Sequence, residues 1–131
     1  MSYHSKQEKE EFTEKMRKRT KQFAIDVIHF CDTLPPTQAC RTISFQLIKA
    51  ATSTGANYRA SCRARSKAEF YSKISITVEE ADESEYWLEV IEGSKILCDR
   101  NELKRLLTEV GEILKIVSTA RKNSSAPPAP Q

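Results

Sequence analysis

Glycine is scarce: three occur in 131 residues. An all-β or loop-rich fold draws on glycine at its turns, so this scarcity argues against one. Histidine is scarcer still, with only His4 and His29, and the four cysteines (Cys31, Cys40, Cys62, Cys98) form no C-x-x-C pair. Metal-ligand spacing is therefore missing, and no metal or cofactor is expected. There is no GxxxxGK[ST] loop and no GxGxxG, which removes the common phosphate-cradling motifs. No apolar run approaches the roughly 20 residues needed to span a membrane. The N-terminal MSYHSKQEKEEF is too polar for a secretory signal. The expectation is a cytoplasmic protein of one domain, its cysteines reduced and packed as small hydrophobes.

What is present is helical periodicity. Residues 5–32 carry Met16, Thr20, Phe23, Val27 and Phe30 on one stripe, and Leu34-Pro35-Pro36 stops that helix. Thr37 is placed to cap a second helix over 37–64. Its apolar stripe is Ile43, Leu47, Ala50, Thr54, Asn57, Ser61, Ala64, and beside it run Ile48, Ala51, Gly55, Tyr58, Cys62. Gly55 costs about 1 kcal/mol inside a helix relative to alanine, so a close approach by a partner helix is expected there. Ser66 with Glu69 reads as a capping box opening a third helix, 66–92, with the seam Phe70, Ile74, Thr77, Ala81, Ser84, Leu88, Ile91. Gly93 reads as its C-terminal cap. Asp99 and Glu102 open a fourth helix, 99–122, bearing Leu103, Leu106, Leu107, Val110, Ile113, Leu114 and Val117. The pattern predicts an all-α, antiparallel up-and-down four-helix bundle over 1–122 and a disordered tail over 123–131.

The net charge of +3 conceals a strong sorting. No acidic residue lies between Asp32 and Glu69, where Arg41, Lys49, Arg59, Arg63, Arg65 and Lys67 lie. Between Lys73 and Lys95 the sign reverses: Glu79, Glu80, Asp82, Glu83, Glu85, Glu89 and Glu92 occur without a basic residue. Two readings follow. In one, the charges only guide the pairing of the second and third helices. In the other, Arg59, Arg63, Arg65, Lys67 and Lys73 form a phosphate-binding patch near one end.

Catalysis finds little support. His29 has no arginine within nine positions before it, and reads as a packing residue beside the apolar stripe. Glu-x-x-His pairs, which mark di-metal bundles, are missing. Glu80 and Glu85 lie near the seam, where Asn57 and Tyr58 could join them in a buried polar network. Ile76, Tyr86, Trp87 and Val90 fall partly outside the third helix's main stripe, as residues of an oligomer interface would. No catalytic residue and no small-molecule substrate are expected.

Two blocks carry a resemblance. Gln46–Ala60 (QLIKAATSTGANYRA) and Ser66–Leu88, with its SKAEF, KISI and ESEYWL segments, resemble the central helices of a bacterial family. Its members are four-helix-bundle proteins encoded in intervening sequences of the 23S ribosomal RNA gene. Phe23–Ile28 and Leu34-Pro35 resemble that family's first helix and turn, so the likeness spans roughly 12–120. It implies a ring assembly, typically a pentamer, with no established molecular function. A related bundle protein accompanies the reverse transcriptase of diversity-generating retroelements, which implies RNA or DNA as a partner. The family's older ribosomal label finds no support here, since the long basic tails that insert into ribosomal RNA are missing. Two functions stay open: a non-enzymatic homo-oligomer that binds nucleic acid or a nucleic-acid-processing partner, or a structural or selfish-element protein whose charges serve only assembly.

Overall fold

The computed structural model describes residues 5–124. They form four helices, α1 (Lys6–Asp32), α2 (Gln38–Cys62), α3 (Lys67–Gly93) and α4 (Arg100–Asn123), with no strand among the described residues. Each boundary falls within two residues of the sequence expectation. The expected tail over 123–131 lies outside the described residues from position 125 onward.

Local chemistry starts every helix. Thr37 accepts from the Cys40 N–H at 3.1 Å, Ser66 from the Glu69 N–H at 3.0 Å, and Asp99 from the N–H groups of Asn101 and Glu102. These bonds satisfy donors that have no partner within the helix. The complete capping box, however, is at Ser5 and Glu8, each side chain accepting the other's backbone N–H. At α3 only the serine half forms, and the Glu69 carboxylate turns instead toward Arg65, 3.9 Å away. Gly93 also departs from expectation. It is the last residue of α3, and the left-handed position falls two residues later, on Lys95 at φ 57°. Ser94 ends the helix, both its N–H and its hydroxyl donating to the Val90 carbonyl.

The helices form a closed square. α1 packs on α2 and α4, α3 packs on α2 and α4, and the backbones of the diagonal pairs do not approach one another. Chain directions follow from cross-helix neighbours. Gly55 faces the backbone of Thr20, while Cys31, further along α1, lies beside Ser44, earlier in α2. Arg19 reaches Glu109, and Arg105 reaches back to Asp26, so α1 and α4 are antiparallel too.

The predicted stripes meet inside. Phe23, Val27, Leu47, Ile74, Leu88, Ile91, Leu103, Leu106, Val110, Ile113 and Val117 are essentially removed from solvent. Each such side chain contributes about 1.5–3 kcal/mol of hydrophobic transfer. The buried hydroxyls of Thr20, Thr54, Ser61, Thr77 and Ser84 donate to carbonyls of their own helices, and the one buried side-chain polar atom without a partner among the described residues is the Ser75 hydroxyl of α3. Small polar residues at these layers therefore shorten the distance between helices without an unsatisfied group.

The α1/α4 seam, which closes the square, is polar. Arg19 forks onto Glu109 with two 2.7 Å bonds and also reaches Glu112 at 2.8 Å. Arg105 forks onto Glu102 and reaches Asp26 at 3.0 Å. The carboxylates hold both guanidinium groups further into the charged state than usual.

Candidate nucleic-acid interface

The hairpin from α2 into α3 places the predicted cations at one end of the bundle. Arg59 and Arg63 are one turn apart, a rise of about 6 Å, and both are exposed. Arg65 and Lys67 follow in the α2–α3 connection and the first turn of α3, also exposed, while Lys73 is half-buried. An open hollow of about 500 Å³ between that connection and the end of α4 is lined by Arg65, Lys67, Ser66, Phe70 and Asn123, among others.

The fold then adds cations from other helices. Arg121 of α4 sits 5.7 Å above the Tyr71 ring, a cation–π contact that holds it at the same end. Arg17 and Lys18 arrive from α1. Residues 5–18, 58–73 and 118–124 together carry twelve Lys and Arg against five Asp and Glu. The remaining described residues carry nine against thirteen. The chain's modest net charge is thus a dipole, about +7 at one end and −4 over the rest.

The ion pairs decide what the sorted charges do locally. Those between helices among the described residues join α1 to α4, and none joins α2 to α3. The basic α2 and acidic α3 do not neutralise one another across their interface. Arg59, Arg63, Lys67 and Lys73 carry no ion pair among the described residues, and Arg65, 91% exposed, makes only the long contact to Glu69. Like charges left unpaired and facing water are the arrangement a polyanion can use.

The residues suggested for a polar network are not joined by hydrogen bonds. The Asn57 amide donates to the carbonyl and hydroxyl of Ser53 in its own helix. Tyr58 is buried toward α1, beside Thr13 and Cys62, and burial pushes its phenol well above the ordinary value. Glu85 lies on the opposite side of the bundle, against α4, with its carboxylate beside Gly111. Burial, reinforced by Glu89 and Asp82, raises its pKa. Glu80 is half-buried on α3.

Of the suggested interface residues, Trp87 and Val90 are half-buried against the bundle's own core, Ile76 is half-buried, and Tyr86 is 55% exposed. Tyr86 and Trp87 meet edge to face at 5.0 Å. Phe45, absent from the sequence expectation, is 65% exposed on the outer side of α2.

Two smaller expectations are corrected. Cys31 and Cys40 are buried and Cys98 is half-buried, but Cys62 is exposed, because it falls in the last turn of α2 on an outward position. His29 is exposed rather than packed, because it projects away from the stripe through Thr20 and Val27. Among the described residues no group of three His, Cys, Asp or Glu could hold a metal ion. No helix among them is long and apolar enough to cross a membrane.

The sequence model of the 23S rRNA-intervening sequence protein family matches residues 5–119, nearly the whole bundle. The chain belongs to this family. A solved relative from Bacteroides thetaiotaomicron, described as a protein with unknown function from the S23 ribosomal protein family, is similar in structure. It shares 29% identity and a TM-score of 0.74, covering 82% of this chain and 99% of its own. No curated protein matches the chain. Family membership therefore carries a fold and no molecular function. For this member of the 23S rRNA-intervening sequence proteins, the functional reading rests on its surface.

Sequence reasoning missed Arg17 and Lys21 of α1 and Arg121 of α4. Arg17 and Lys21 are visible as an i, i+4 cationic pair. Nothing in the sequence says which neighbouring helix that pair faces.

Proposed function

We propose that this chain is a non-enzymatic, homo-oligomeric bundle that binds nucleic acid through phosphate contacts at its basic end, a pentameric ring being the leading stoichiometry. The observation that supports the binding is that Arg59, Arg63, Lys67 and Lys73 gather at the α2–α3 corner, away from the acidic stretch Glu79–Glu92, and make no ion pair among the described residues. If the sorted charges served assembly alone, ion pairs across the α2/α3 interface would be the expected arrangement. Oligomerisation would multiply the patch, so weak contacts by Arg59, Arg63, Arg65, Lys67 and Lys73 would act together through avidity.

The test is binding of a structured RNA, followed by fluorescence anisotropy across a salt series. Phosphate contacts give an affinity that falls steeply with salt, by a log–log slope of about 0.7–0.9 per contact. The Arg59→Ala/Arg63→Ala double variant is expected to lose most of the affinity and to flatten the slope by roughly 1.4–1.8, with an unchanged melting temperature. Absence of salt-dependent binding in the wild type, together with a lowered melting temperature in the variant, would return the charges to a purely structural role.

A further inference from the structure

The side of the molecule adjoining the basic end holds a groove between α1 and α2. It encloses about 180 Å³ and is lined by Arg17, Lys21 and Ala24 from α1 and by Thr52, Gly55, Ala56 and Arg59 from α2. Three of these seven residues are cations and none is acidic. The groove exists because the helices approach closely at Gly55, where a Cβ would lie 3.3 Å from the Thr20 carbonyl oxygen. Ala24 and Ala56 then fill little of the space above that contact.

The cations are differently engaged. Arg17 is held by Glu14, one turn back on α1. Lys21 and Arg59 are exposed and make no ion pair among the described residues. The Thr52 hydroxyl already donates to the carbonyls of Ile48 and Lys49, at 2.7 and 3.2 Å, so it has no proton left for an anion. Recognition in this groove falls to the cations alone, which suits a diffuse, strongly acidic group that needs no directional donor. Lys21 and Arg59 stand on opposite walls, so an anion between them is approached from both helices.

We propose that this groove seats a backbone phosphate of the bound nucleic acid, with Lys21 and Arg59 as its direct partners and Arg17 as the cation behind them. This rests on the nucleic-acid reading above and extends it. The interface runs from the α2–α3 corner along the α1/α2 side, and α1 takes part in it. Arg59 belongs to both stretches, so a strand contacting Arg63 and Arg65 continues into the groove through it.

Three variants separate this from the broader reading, using the full chain and the same RNA. Lys21→Ala removes one cation at the groove and is expected to lower the salt slope by about 0.7–1. Ala56→Leu keeps every charge but fills an exposed position on the groove wall, and is expected to weaken binding as much as Lys21→Ala does. Lys104→Ala, which removes an exposed cation of α4 away from the basic end, is the comparison and is expected to leave the slope unchanged. If the wild type binds RNA with a steep salt slope while Lys21→Ala and Ala56→Leu match it, the groove assignment is overturned and the basic-end reading stands. If the wild type shows no salt-dependent binding, both fall. Should Ala56→Leu prove unstable, Lys21→Ala decides alone. Titration with inorganic phosphate distinguishes the two sources of the group. Chemical-shift changes at Gly55 and Ala56 at low millimolar phosphate, with RNA affinity untouched by Lys21→Ala, would identify a small-anion site and overturn the backbone assignment.

Discussion

At the scale of single residues, the structure shows where environment overrides residue type. Lys95 takes the left-handed conformation that the nearby glycine could have adopted, because Ser94 has already ended α3 by donating twice to Val90. Gly93 therefore stays in the helix, where its freedom is not used. Glu85 is the titratable counterpart. Desolvation at the α3/α4 groove, with Glu89 and Asp82 nearby, raises its pKa above the ordinary 4.5. A raised carboxyl pKa means that the native state holds this proton more tightly than the unfolded chain does. The resulting stability is complete below the unfolded value and is lost as pH rises through the native one. Glu85→Gln is expected to raise the melting temperature at pH 7. The difference should vanish near pH 4. A thermal melt series across pH checks this, and an equal gain at both pH values would remove the titration of Glu85 as its cause.

At the scale of elements, two seams of the square are built on different principles. α1 and α2 meet backbone to backbone at Gly55, whereas α1 and α4 are joined by the Arg19 and Arg105 clusters. Close packing tolerates added volume poorly, since the facing Thr20 carbonyl belongs to a continuous helix and cannot move alone. Gly55→Leu is expected to destabilise the protein by about 1–3 kcal/mol. Chemical denaturation measures this through the midpoint, and an unchanged midpoint would show that α1 yields without cost. Capping follows the same logic of local satisfaction. Thr37, Ser66 and Asp99 were legible as caps because each needs only its own next three residues. The complete box at Ser5 is not legible in the same way, since the apolar stripe that normally flags a helix start begins only at Met16.

At the scale of the whole molecule, folding turns four charge-biased segments into a dipole and leaves aromatics uncovered. Phe45 and Tyr86 are 65% and 55% exposed on neighbouring helices, with Trp87 half-buried beside Tyr86. A single bundle needs one apolar stripe per helix, so a second aromatic surface favours association of copies. Light scattering coupled to size exclusion is expected to give about 75 kDa, five times the 14.9 kDa chain. The Phe45→Ser/Tyr86→Ser variant is expected to shift the mass toward that of one chain while circular dichroism stays helical. A wild-type mass near 14.9 kDa at tens of micromolar would refute the ring and the avidity built on it.

The sequence by itself determined the helices, their ends and their inward faces. These depend on the 3.6-residue period and on caps that act over one turn, so Leu47, Ile74, Leu88 and Val110 could be assigned to the core from spacing alone. It also determined that basic and acidic residues fall on different helices. Only the tertiary structure decided what those charges meet. A side chain's position on its helix does not specify the distance to the next helix. Register and facing leave α2 and α3 without an ion pair between them among the described residues, while Arg19 and Arg105 find carboxylates more than seventy residues away in the chain. The same holds for the α1/α2 groove. Arg17, Lys21 and Arg59 share it because Gly55 lets two distant segments come close enough to make one positive surface.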